Sequence, residues 1–272
     1  MINSLSINFV LPGGVPIDLL IFATCASLLV IATHVPLGIQ VLDRGIIFID
    51  LAIAQVAGLG AYLAVAALGE QIDPVWTQAC AMVLALCVAW LFSLTEKLWP
   101  RYQEALIGVV FVLSATAVLL LLSSHPHGGN QLNELLSGQL LWVGQEKLLY
   151  SALATALLLF LMYLLRYRPK AFYGLFAVAI TISVQLVGVY LVFATLIVPS
   201  LGAAACQDDR YKKWLAFSIA LSGYLIGLIL SAWLDLPSGP LIVWTLVMSA
   251  LILGTFGRLC IKKRAQESTL NL

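Results

Sequence analysis

Seven stretches of roughly 20 mostly apolar residues recur along this chain, the length an α-helix needs to cross a bilayer core about 30 Å thick. They are Leu19–Val41, Ile46–Leu68, Val75–Leu94, Ala105–Ser123, Leu148–Leu165, Trp214–Leu234 and Leu241–Gly257, and nearly all the charge falls between them. Only 10% of the 272 residues are charged and 62% are apolar, against roughly 25% charge in a soluble domain. Such a surface cannot face water. The pattern predicts an all-α polytopic membrane protein, with residues 1–272 as a single transmembrane domain. A formal net charge of +1, with no clustered basic face, excludes a nucleic-acid footprint. The cysteines (Cys25, Cys80, Cys87, Cys206 and Cys260) form no C-x-x-C pair, so they read as small apolar residues of a packed bundle rather than a zinc or redox motif. Residues 1–16 hold no Lys or Arg. The first stretch therefore lacks the basic start of a secretory signal and is expected to stay as a span.

One further stretch, Ala171–Cys206, carries no charge at all. It is too long for one ordinary span and short for two. Charge placement decides, because cytoplasmic loops collect Lys and Arg. If the chain crosses twice here, reversing near Gly188-Val189-Tyr190, there are about nine spans, with the N-terminus outside and the C-terminus cytoplasmic. Then 13 of the 14 basic residues lie inside and only Lys147 outside; a single crossing splits them 8 to 6. The two-crossing reading is preferred. Its halves are short or re-entrant (eight spans if one segment only dips), a form tolerated where protein rather than lipid surrounds it.

The longest outer segment is Ser124–Glu146. It carries His125-Pro126-His127 and then Leu132–Val143, an expected short interfacial helix. Two histidines do not close a metal site, so His125 and His127 read as solvated loop or as a transient cation contact. On the inner side, Arg166-Tyr167-Arg168-Pro169-Lys170 precedes Ala171 and Gly174. No Walker A loop, H-E-x-x-H or G-x-S-x-G is present, so no enzymatic activity is expected.

Four blocks, in order, resemble the permease of the zinc/manganese ABC transporter family. The first is Pro36-Leu37-Gly38-Ile39 followed by Arg44-Gly45-Ile46-Ile47-Phe48-Ile49-Asp50-Leu51-Ala52-Ile53-Ala54-Gln55. The second, Ala105-Leu106-Ile107-Gly108-Val109-Val110-Phe111, is similar to the family's A-I-G-I-x-F span. The third, Leu135-Leu136-Ser137-Gly138-Gln139-Leu140-Leu141, is similar to its L-x-G-x-I-L outer loop. The fourth runs from Gln185-Leu186-Val187-Gly188-Val189-Tyr190-Leu191-Val192 through Ile197-Val198-Pro199 to Ala203–Ala205. Together they cover about two-thirds of the chain. The resemblance implies the ABC importer permease fold of the metal and cobalamin-like type, in the bacterial inner membrane. It also implies a second permease chain as a homodimer partner, a separate ABC ATPase that binds the ATP, and a periplasmic solute-binding protein. No permanently bound cofactor is implied; the divalent metal is cargo. A short inner helix with an Ala and then a Gly docks on the ATPase in that family, which places coupling on Arg166, Arg168, Lys170, Ala171 and Gly174, with the Ala–Gly spacing off by one. The basic residues serve equally as topology determinants.

The second span departs from the family. Its usual G-D-A-x-S-H-A puts an Asp and a His one turn apart to bind metal. Alignment on the following glycine puts Leu51 and Gln55 at those positions, while Asp50 sits one residue earlier, about 100° around the helix. An amide oxygen is a poor zinc ligand beside imidazole. Asp50 remains the candidate metal ligand, since ionisable residues within spans are functional candidates by default; the alternative is an interfacial charge near the cytoplasmic boundary. His34 reads as a path residue or a packing histidine. Gln55 and Gln185 line a path or bond a neighbouring helix, and Gly58 belongs to a small-residue stripe that widens a path or packs.

Three functions remain open. The first is ATP-driven import of a free divalent ion (zinc, manganese or iron) past Asp50. The second is import of a metal–chelator complex, which needs polar and small residues rather than a ligand pair. The third is a stand-alone ion-coupled carrier, which generally holds several buried charges near the midplane.

Overall fold

A computed structural model describes residues 17–69, 73–122, 140, 143–165, 168, 171–206 and 208–270. The described residues form α1 (Ile17–Arg44), α2 (Ile49–Leu68), α3 (Pro74–Leu98), a 3-10 turn (Pro100–Tyr102), α4 (Gln103–Leu122), α5 (Gln145–Leu165), α6 (Phe172–Val187), α7 (Val189–Gly202), α8 (Asp209–Leu234) and α9 (Ser238–Leu270), with no strand among them. Each of the seven apolar stretches becomes one helix long and apolar enough to cross a membrane. Polar side chains set the starts of α3 and α8. The Asp73 carboxylate accepts from the Val75 N–H at 2.9 Å with Pro74 at the first helical position, and that of Asp208 accepts from Arg210 and Tyr211. Both satisfy amides that a helix start leaves open.

The charge-free stretch becomes α6 and α7, whose axes turn through 120° at Gly188. Gly188 has φ 80 and ψ 163, a backbone state that favours glycine, and its N–H closes α6 on the Val184 carbonyl at 2.8 Å. At 1.5 Å per residue the two arms are about 24 and 21 Å long. Each arm is shorter than an ordinary span, and the sharp bend at Gly188 has the form of a broken span or a re-entrant loop, in keeping with the short or re-entrant halves expected from sequence.

Three contacts show where the pair begins and ends. Asp43 and Arg44 close α1. The Arg44 guanidinium lies 4.3 Å over the ring of Phe172, the first residue of α6. Lys212, in the first turn of α8, pairs with Asp43 at 3.1 Å. The chain thus enters and leaves the hairpin at one end of the bundle. A hairpin and two full crossings both return the chain to the end of the bundle where it entered.

The break at Gly188 is enclosed. α6 packs against α1, α2, α3 and α5, and α7 against α1, α2, α8 and α9. Eleven of the 16 residues of α6 and eight of the 14 of α7 are buried, so protein rather than lipid surrounds the irregular backbone, as a membrane requires. Elsewhere small residues let helices approach closely, the usual device where lipid removes the hydrophobic drive between helices. Gly60 of α2 faces Cys80, Ala81 and Leu84 of α3; Gly223 and Gly227 of α8 face Ile242, Thr245 and Leu246 of α9. Thr195 of α7 and Tyr224 of α8 share a hydrogen bond of 2.7 Å between two buried hydroxyls. α5 is peripheral, burying only Ser151, Thr155 and Leu158 among its described residues.

Candidate functional site

At the charged end of the bundle the α1–α2 turn is held from three directions. Gly45 has φ 70 and allows the reversal. Arg44 Nη1 donates to Glu96 Oε1 of α3 at 3.1 Å while its guanidinium covers Phe172. The Phe48 N–H donates to Glu104 Oε1 of α4 at 3.2 Å. Asp50 follows in the first turn of α2, where the helix dipole favours a carboxylate. It is 1% exposed. Neither oxygen has a hydrogen-bond partner of good geometry; the amides of Asp50 and Leu51 are its nearest donors, and the Glu104 carboxylate acts on it electrostatically. Glu104 Oε2 is likewise buried without a partner. Glu104 was missed by sequence reasoning. The available signal was its place in the first turn of α4, level with the first turn of α2.

His34 is fully buried in α1. Its Nδ1 lies 3.0 Å from the Val30 carbonyl and 2.9 Å from Thr33 Oγ1, and Nε2 has no partner. The ring is held by its own helix and makes no described contact with Asp50.

Leu51 and Gln55, one turn apart on α2, face a cavity of about 590 Å³. Phe111 and Ala115 of α4 line it, also one turn apart. Val189, Tyr190, Phe193, Ala194 and Val198 of α7 and Pro240, Val243 and Trp244 of α9 complete the wall. Phe193 also stacks on Phe48, with ring centroids 6.3 Å apart, so the aromatic wall continues to the turn before α2. Gln55 is 5% exposed, and its amide has no hydrogen bond among the described contacts. Of the sequence candidates, only Gln55 lines this cavity. Asp50 and His34 do not, Gly58 is half-buried away from it, and Gln185 is exposed elsewhere on α6. No group of three or more His, Cys, Asp or Glu is placed to hold a metal among the described residues.

Near the hairpin's foot, the Ala171 N–H donates to the Arg168 carbonyl at 3.0 Å and opens α6. Arg168 is exposed, and Gly174 is half-buried with open space at its Cα. Both lie close in sequence to Phe172, at the end shared with Arg44. Arg166, Lys170, His125, His127 and most of the expected helix over Leu132–Val143 lie outside the described residues.

The family model of the ABC 3 transport family matches residues 16–173 and 169–257. No protein of curated function matches the chain. Among solved structures, one titled "PsaBC from Streptococcus pneumoniae in complex with Fab" is similar with a TM-score of 0.68 and 18% identity, covering 87% of this chain and 89% of that one. At that identity the likeness is one of fold.

Proposed function

Because the chain belongs to the ABC 3 transport family, we propose that it is the permease subunit of an ATP-driven importer carrying a divalent metal, zinc, manganese or iron, from a periplasmic binding protein to the cytoplasm. The observation that carries this reading is the family match over most of the chain, together with a cavity walled by four helices of a multi-pass bundle. Asp50 takes the part of the carboxylate that draws the metal toward the inner end. The membrane is the bacterial inner membrane, and a second copy of the permease completes the path. A stand-alone carrier is disfavoured, because Asp50 is the one buried Asp, Glu, Lys or Arg among the described residues, where such carriers generally hold several.

The orientation puts the charged end in the cytoplasm. In a background without native cysteines, an impermeant thiol reagent on intact spheroplasts modifies a cysteine placed at Asn130 and spares one at Asp209. The reverse labelling overturns the orientation.

Coupling is assigned to Arg166, Arg168, Lys170, Ala171 and Gly174, next to the foot of the hairpin. Charge reversal at Arg166 and Arg168 lowers co-purification of the ATPase subunit and the ATP-driven uptake of radiolabelled metal by proteoliposomes. Normal complex yield with normal uptake removes the assignment. Uptake that proceeds without the ATPase removes the importer reading itself.

A further inference from the structure

The cavity beside Gln55 has the wrong chemistry for a bare metal ion. A divalent cation leaving water must recover lost hydration from oxygen, nitrogen or sulfur ligands, and burying an ion without them is prohibitive. Of the twelve lining residues, none is Asp, Glu, His or Cys. Three carry polar side-chain atoms. The Trp244 indole N–H is a donor only, and the Tyr190 hydroxyl and Gln55 amide are neutral. Size argues the same way. A metal with six waters occupies about 180 Å³ at roughly 30 Å³ per water. The cavity holds about 590 Å³, within the range of pockets for small organic ligands.

What the wall does offer is specific. Phe111, Tyr190, Phe193 and Trp244 give four aromatic faces for a planar or apolar surface. Gln55, almost wholly buried and without a protein partner, presents both a donor and an acceptor. Its amide atoms are not among the sealed, unpartnered polar atoms of the interior, so they are open to the cavity and free to bond an occupant. The absence of charge on the wall selects an occupant of little net charge.

We propose that this cavity receives the metal inside a neutral organic chelate, with the aromatic wall against the chelator and Gln55 bonded to its outer carboxylate or amide. This inference rests on the metal-importer reading and names the form of its cargo. The chelator keeps the metal's ligands in place, so no protein ligand is needed along this wall.

The test is equilibrium dialysis of the purified permease–ATPase complex against radiolabelled zinc, supplied as the hydrated ion or as its neutral 1:1 complex with pyridine-2,6-dicarboxylate, and against the free dicarboxylate. The chelate binds, with the hydrated ion and the free chelator at least about tenfold weaker. Gln55→Leu, of similar size, weakens the chelate about tenfold, the loss expected when a site built to hydrogen-bond loses its group. Ala115→Trp fills the cavity and abolishes binding, and Ala115→Leu weakens it in the same direction should the larger residue disturb folding. Preferential binding of the hydrated ion, equal binding of chelator alone, or unchanged binding in Gln55→Leu and Ala115→Leu overturns the inference. ATP-driven uptake of the hydrated ion without chelate binding sinks this inference and leaves the importer standing; absence of uptake of either form removes the importer.

Discussion

Gly38→Leu yields no folded permease, seen as loss of the monodisperse peak after detergent extraction. Gly38 lies where α1 crosses α7. A Cβ there overlaps the Leu196 carbonyl and comes within 2.8 Å of Ser200 Oγ. Leu196 is fully buried, and the adjacent Thr195 is bonded to Tyr224 of α8, so the α7 backbone has nowhere to retreat. Even Gly38→Ala costs about 1–3 kcal/mol, the usual range for overpacking, and lowers the melting temperature. Gly108 of α4 is the control. Nothing lies within 4 Å of a Cβ there, and alanine is favoured over glycine in a helix by roughly 1 kcal/mol. A wild-type melting temperature for Gly38→Ala removes the close α1–α7 crossing.

Asp50→Asn acts on transport rather than on the fold. An amide of the same shape replaces a carboxylate whose oxygens make no hydrogen bond of good geometry, so no packing contact or bond is lost and the melting temperature stays unchanged. Uptake of the hydrated metal falls about tenfold, equivalent to about 1.4 kcal/mol, a fraction of the roughly 4 kcal/mol between unit charges 4 Å apart at an effective dielectric of 20. Uptake of a chelated metal falls less, because the chelator shields the ion and Asp50 stands off the cavity wall. Stability and transport measured on the same preparation separate this role from a structural one. Wild-type uptake of both forms makes Asp50 only an interfacial charge.

What sequence alone conveyed follows from the range of each signal. Span length is a local property, so all seven apolar stretches became helices. The imbalance of Lys and Arg is summed over the whole chain, and it placed both ends of Ala171–Cys206 on one side. The sharpness of the bend was not legible, because it depends on the backbone angles at Gly188, and φ is not written in hydropathy. Gly60, two residues beyond Gly58 on the small-residue stripe, packs on α3; spacing marks a close-packing helix face but not its partner. The family's missing metal pair was visible at Leu51 and Gln55. That these positions open onto an aromatic cavity was not, since its walls come from residues as far apart as Leu51 and Trp244. Arg44 against Glu96 and Phe172 likewise joins residues distant in sequence.

The enclosed hairpin also fixes an order of biogenesis. Its two arms are sheltered by helices made at opposite times: α1 and α2 before it, α8 and α9 after it. When Gly202 leaves the ribosome, the face of α7 that will meet α8 and α9 has no protein against it, and a broken backbone facing hydrocarbon is untenable. The insertion machinery must therefore shelter this segment until the last two helices arrive. A chain truncated before Asp209 strands the hairpin, marking it for degradation although every earlier span is complete.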